Sequence, residues 1–76
     1  MAVEGLLWFD NDGKKGLAEK VAPAVKRFRE RVGREATTVL VASGEAQAEQ
    51  VAGIRVVEWG RVMPGYLLIT DSSVEG

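Results

Sequence analysis

A chain of 76 residues with a net charge of −1 and neither cysteine nor histidine reads as one small domain, 1–76, near the lower size limit for folding without staples. The composition excludes disulfides, thiolate metal sites, the usual zinc ligand and the usual general base. Any catalysis falls to carboxylates, lysines, hydroxyls and Tyr66.

No apolar run approaches the roughly 20 residues that cross a bilayer. The opening "MAVEG" has no basic segment leading into a long apolar one. A soluble cytoplasmic protein without a membrane partner is the expectation. One Asn and two Gln stand among many Arg, Glu, Ala and Val residues, a bias that suits a protein selected for heat.

In chain order, Gly5 to Phe9 reads as a short strand, apolar from Leu6 on, closed by Asp10-Asn11-Asp12-Gly13. A long helix follows, from about 14 to 33. Leu17, Val21, Ala24, Val25, Phe28 and Val32 recur at helical spacing over an arc of about 100°, the stripe of a helix laid on a core. Gly33 is a C-terminal stop. Pro23 cannot donate to the Glu19 carbonyl. Both residues lie off the stripe, where water can bond that carbonyl, so one bent helix is expected, with two shorter helices as the alternative.

"TTVLVA", 37–42, is a second strand. "GEAQAEQVA", 44–52, reads as a short helix capped by Ser43 and ended by Gly53. "IRVVEW", 54–59, is a third strand and "YLLIT", 66–70, a fourth, joined by a loop in which Pro64-Gly65 suits a tight turn. Residues 71–76 read as a tail. The order β-α-β-(short α)-β-β defines a small α/β domain: a three- to four-stranded mixed sheet with one long helix on one face. The first two strands imply a right-handed parallel crossover, and the last two an antiparallel pair.

"LLWF", "VLVA" and "YLLI" do not alternate apolar with polar residues, as strands with one wet face do. The long helix covers one side of the sheet. The other keeps several hundred Å² of apolar surface, and covering each ~400 Å² would contribute roughly 10 kcal/mol before ordering costs. A second copy of the chain, as a C2 homodimer or a higher oligomer, is the expected cover. The competing arrangement folds the short helix and the loop carrying Trp59 and Met63 back over that face.

Asp10 and Asp12 fit three chemistries unequally. As positions 1 and 3 of an EF-hand loop they fail, because Lys14, Lys15 and Val21 stand where an oxygen donor, a glycine and a glutamate belong. "LLWFDNDG" resembles the first motif of the haloacid dehalogenase-like phosphatases, an apolar strand ending in Asp-x-Asp-Gly-Thr. That resemblance implies Asp10 as nucleophile, Asp12 as general acid/base, Ser43 as phosphate ligand and a Mg²⁺ ion held by Asp10, Asp12 and Asp71. It spans about eight residues, and Lys14 replaces the motif's Thr. The third reading is structural: the aspartates cap the helix and favour its positive end.

Residues 13–35 hold eight basic and three acidic side chains, a net of +5, while the rest holds two basic and eight acidic, a net of −6. The basic helix 14–34 is thus a candidate anion or nucleic-acid surface. The competing reading is a solvated face with Glu19 paired to Lys15 and Glu30 to Lys26 and Arg34. The pI of about 5.4 disfavours nucleic acid. Trp8, Phe9, Phe28, Trp59 and Tyr66 fall in strands and the helix stripe. Trp8, Trp59, Met63 and Tyr66 are the candidate partner-binding residues.

The Trp-Phe-Asp-x-Asp segment, the basic helix ending in "RFRERVG" and the closing "MPGYLLI" together resemble a group of short bacterial proteins of unknown function. The resemblance spans most of residues 6–70. It implies a small α/β domain and no known activity. The reading is therefore a non-catalytic interaction or assembly module. The alternatives are a minimal Mg²⁺-dependent phosphoryl-transfer or phosphate-binding site, and an anion-binding helix.

Overall fold

The computed structural model describes residues 5–46 and 49–71. Its elements are β1 (Leu6–Phe9), α1 (Leu17–Val32), β2 (Thr38–Val41), β3 (Gln50–Val51), β4 (Ile54–Glu58) and β5 (Tyr66–Thr70). The strands form one mixed sheet in the order β1-β5-β2-β4-β3. Only β2 and β4 pair in parallel; β1 with β5, β5 with β2, and β3 with β4 are antiparallel. The chain has the expected α/β architecture, with one long helix on a mixed sheet.

The helix follows its stripe. Leu17, Val21, Ala24 and Phe28 are buried and Val25 is half-buried. Val32 is an exception: the helix has left the sheet by its last turn, and Val32 is 40% exposed. Pro23 sits within one continuous helix, exposed like Glu19. Gly33 ends it at φ 81°, its N–H donating to the Arg29 carbonyl at 2.9 Å, as a left-handed C-terminal stop does.

Opposite that stripe lie Val39 and Val41 of β2, Ile54 and Val56 of β4, and Leu67 and Ile69 of β5, joined by the half-buried Leu6 and Trp8 of β1. The alternation follows from the strand period of two: every second residue meets the helix. Large β-branched and aliphatic side chains on both layers fill this core.

Three expectations are corrected. The helix begins at Leu17 rather than 14, because residues 10–15 are held in turns by the aspartates themselves. The expected helix at 44–52 is not formed where the chain is described: Ser43–Gly44 is a turn, and Gln50–Val51 is a strand hairpinned onto β4. Residues 47–48 of that segment lie outside the described residues. Burial of Val51 against the core outweighs the helix propensity of Ala, Gln and Glu. Finally, β5 does not pair with β4. It runs between β1 and β2, so those two strands are parallel but not neighbours. Of the expected tail, Asp71 is described and 72–76 lie outside the described residues.

The rear of the sheet carries the complementary residues. The register aligns Leu7, Leu68, Leu40 and Val57 in one row across β1, β5, β2 and β4. Phe9 and Tyr66 form the row on one side of it, and Thr70, Thr38 and Arg55 the row on the other. Leu40 is fully buried although it lies outside the helix-side core. The loop after β4 accounts for this, because Val62 is itself buried and the loop borders Leu7 and Leu68. The chain roofs the middle of its own rear face and leaves the β1 side open.

Candidate functional site

Two places on this frame collect the residues singled out in the sequence. The first is the rear face beside β1. Leu7 is 58% exposed, Phe9 54% and Met63 66%. Leu7 and Met63 line an apolar cavity of about 260 Å³ together with Trp59, Val62, Tyr66 and Leu68, with Arg61 at its rim. The Arg61 guanidinium lies over the Trp59 ring, 5.9 Å from its centroid, which keeps a cation at the edge of an otherwise apolar surface. Phe9 and Tyr66 face each other across β1 and β5.

Of the expected partner-binding residues, Trp59, Met63 and Tyr66 therefore share this surface. Trp8 does not: strand alternation turns it to the helix side, where it is half-buried against the core. Its neighbours Leu7 and Phe9 take that place. Their signal was present in "LLWF", but which pair faces the helix depends on the register of β1 against β5, which the run of four apolar residues leaves open.

The second place is the carboxyl end of β1 and β2, where Asp10, Asp12 and Ser43 fall because those strands run parallel. The Asp12 N–H donates to Asp10 Oδ1 at 3.0 Å, and the Lys14 N–H donates to Asp12 Oδ1 at 2.9 Å. Each aspartate thus closes a turn on the backbone two residues ahead. Neither caps α1, whose N-cap is Gly16 without a side-chain hydrogen bond. Helix capping, the structural role expected of the pair, is replaced by turn formation in the connecting loop.

Lys15 Nζ lies 3.3 Å from Asp10 Oδ2, and the Asp10 side chain is 15% exposed. The Asp12 N–H is the main reason that the Asp10 carboxyl sits below its usual range. Desolvation opposes that lowering, and Lys15 and the more distant Lys20 add to it. Asp10 borders a pocket of about 240 Å³ with Leu17, Lys20, Val41, Gly44, Glu45, Gly65, Tyr66 and Leu67. Glu45 Oε1 accepts the Gly65 N–H at 3.2 Å and ties two of its walls together.

Asp71 is not there. Because β5 runs opposite to β1 and β2, its carboxyl end lies at the opposite end of the strands, and Asp71 pairs with Arg34 at 2.6 Å. The set Asp10, Asp12 and Asp71 therefore cannot close on one Mg²⁺ ion. Among the described residues no three acidic side chains are grouped to hold a metal.

Of the basic stretch 14–34, Arg29 on α1 pairs with Glu35 at 3.3 Å and Arg34, beyond the helix end, with Asp71; among the described residues the expected pairs of Glu19 and Glu30 are not formed. Among the described residues no helix is long and apolar enough to cross a membrane. No family model matches the chain, and neither a curated protein nor a solved structure matches it.

Proposed function

We propose that this protein is a non-catalytic interaction module that associates with copies of itself through its sheet, in the reducing interior where a cysteine-free chain needs no disulfide. The observation that carries this reading is the more than half exposed Leu7 and Met63 lining an apolar cavity, with the similarly exposed Phe9 packed on Tyr66 at its wall. Contiguous apolar surface of this kind marks contact sites on small proteins. Self-association supplies the missing cover with no further partner.

Light scattering over a range of concentrations tests the reading. The wild type is expected to exceed 8.2 kDa as concentration rises, and Phe9→Lys, which puts a charge on both the patch and the β1 edge, to hold it at the monomer mass with an unchanged circular dichroism spectrum. A wild type that stays monomeric at every concentration overturns it.

The pocket beside Asp10 favours a second reading, a phosphate or Mg²⁺–phosphate site using Asp10, with Lys20 as the available cation. Titration calorimetry with Mg²⁺ and a phosphate analogue on the wild type and Asp10→Asn tests it. Absence of heat with the wild type excludes it.

A further inference from the structure

The two edges of the sheet are built differently. The β3 edge is only Gln50–Val51, two residues with Gln50 exposed and a tight turn behind them, which offers little backbone to a visitor. The β1 edge is four apolar residues with no proline or charge, in a chain with ten basic residues to spare. Among the described residues nothing pairs with its outer side. Sheets usually protect such a strand with charge, proline or a bulge. This one carries none of them.

The hydrogen-bond parity of β1 is fixed. Asp10 stands opposite Gly65 in the continued register and donates its N–H to that carbonyl at 2.9 Å. Antiparallel ladders alternate bonded and non-bonded pairs. Trp8 with Leu67, and Leu6 with Ile69, are therefore the inward bonded pairs. The N–H and C=O groups of Leu7 and Phe9 point outward, and these are the same two residues whose side chains are exposed on the rear face.

We propose that a second copy of this chain adds to this edge, antiparallel, with a two-fold axis passing Trp8. Leu7 of each copy then stands opposite Phe9 of the other, and each such pair exchanges two backbone hydrogen bonds. The two five-stranded sheets become one continuous sheet with both helices on the same side. Leu7 of the second copy lies beside Phe9 and extends the strip begun by Phe9 and Tyr66. Growth stops there, because the remaining outer edges are the two short β3 strands. The inference rests on the self-association proposed above and gives it a register, in which Leu7 and Phe9 gain neighbours across the joined edge while Met63 stays open on the rear face. A second copy fits better than a foreign peptide because the outward pair is apolar at both positions and continuous with the rear patch.

Amide exchange of the wild type, followed by NMR at low and high protein concentration, tests the register, together with Leu7→Pro and its matched control Leu7→Ala. Proline at 7 removes only an outward N–H, which edge strands tolerate. The expected result is slowing of the Leu7 and Phe9 amides by at least about tenfold at high concentration, with Leu7→Ala still associating and a folded Leu7→Pro monomeric. If the wild type associates while both amides exchange fast at every concentration, edge pairing is overturned and association through the rear patch stands. Protection of these amides that is independent of concentration also overturns it. A wild type that never associates overturns both proposals.

Discussion

The rings of Phe9 and Tyr66 sit 4.8 Å apart at 52° to each other, on residues the register places directly opposite one another in β1 and β5. Such tilted pairs contribute about 0.5–1.5 kcal/mol beyond the area they cover. Phe9→Ala and Tyr66→Leu should each destabilise the fold by roughly 1 kcal/mol. The double variant should cost less than their sum, because the second change removes a contact already lost. Urea denaturation of the four proteins measures this coupling. Strict additivity would show that the ring contact contributes nothing.

Pro23 leaves the Glu19 carbonyl without its helical donor in the middle of α1. Pro23→Ala restores the bond and removes the ring's crowding of the preceding turn. Stabilisation of about 1–3 kcal/mol is expected, the upper figure reduced because proline also stiffens the unfolded chain. In a domain this small each kcal/mol raises Tm by roughly 4–8 °C. A scanning calorimetry trace with unchanged or lower Tm would mean that the proline itself is needed where α1 packs.

The hairpin between β3 and β4 turns on Ala52 at φ 52° and Gly53 at φ 79°. Two positive φ values in a two-residue connection are the pattern that favours Asn-Gly, and alanine pays for its Cβ there. Ala52→Asn should raise stability by up to about 1 kcal/mol, while Ala52→Val should lower it by more. The check is the urea midpoint, at unchanged slope.

Asp10 carries the pH response. Its folded-state carboxyl lies below the usual 3.8, so its contribution is complete above that value and is lost as pH falls through the lower folded one. The turn that Asp10 closes on the Asp12 N–H should persist at pH 4 and loosen only in stronger acid, roughly below the unfolded range. An NMR titration should place the Asp10 carboxyl midpoint below 3.8, with the Asp12 amide shifting alongside. Asp10→Asn keeps an acceptor for that amide and should abolish its shift.

Much of this architecture can be read from residue patterns. The helix stripe from Leu17 to Phe28 is periodic enough to fix both the element and the face it buries, and Gly33 stops it. The apolar run at Thr38–Val41 is buried on both sides of the sheet. What stays hidden is set by tertiary context. Two-residue β3 has one apolar residue to announce it, Val51, and its turn lacks the asparagine that would mark a hairpin. "LLWF" is as greasy as a central strand yet lies at the edge, because β5 takes the position between β1 and β2. That insertion also decides the candidate site. Asp10, Asp12 and Ser43 follow strands running one way, and Asp71 follows a strand running the other, which sequence order alone does not reveal.

The place of β5 orders the chain's assembly in time. Of the described strands β5 is made after the others, and it is the one that pairs with β1, so a nascent chain halted before Tyr66 has no strand partner for β1. Helix α1 and the β2–β4 pair can gather early, while β1 waits, greasy and unmatched, for Tyr66–Thr70 to leave the ribosome. Slow translation across the Pro64-Gly65 loop would prolong that wait and the risk of aggregation that attends it.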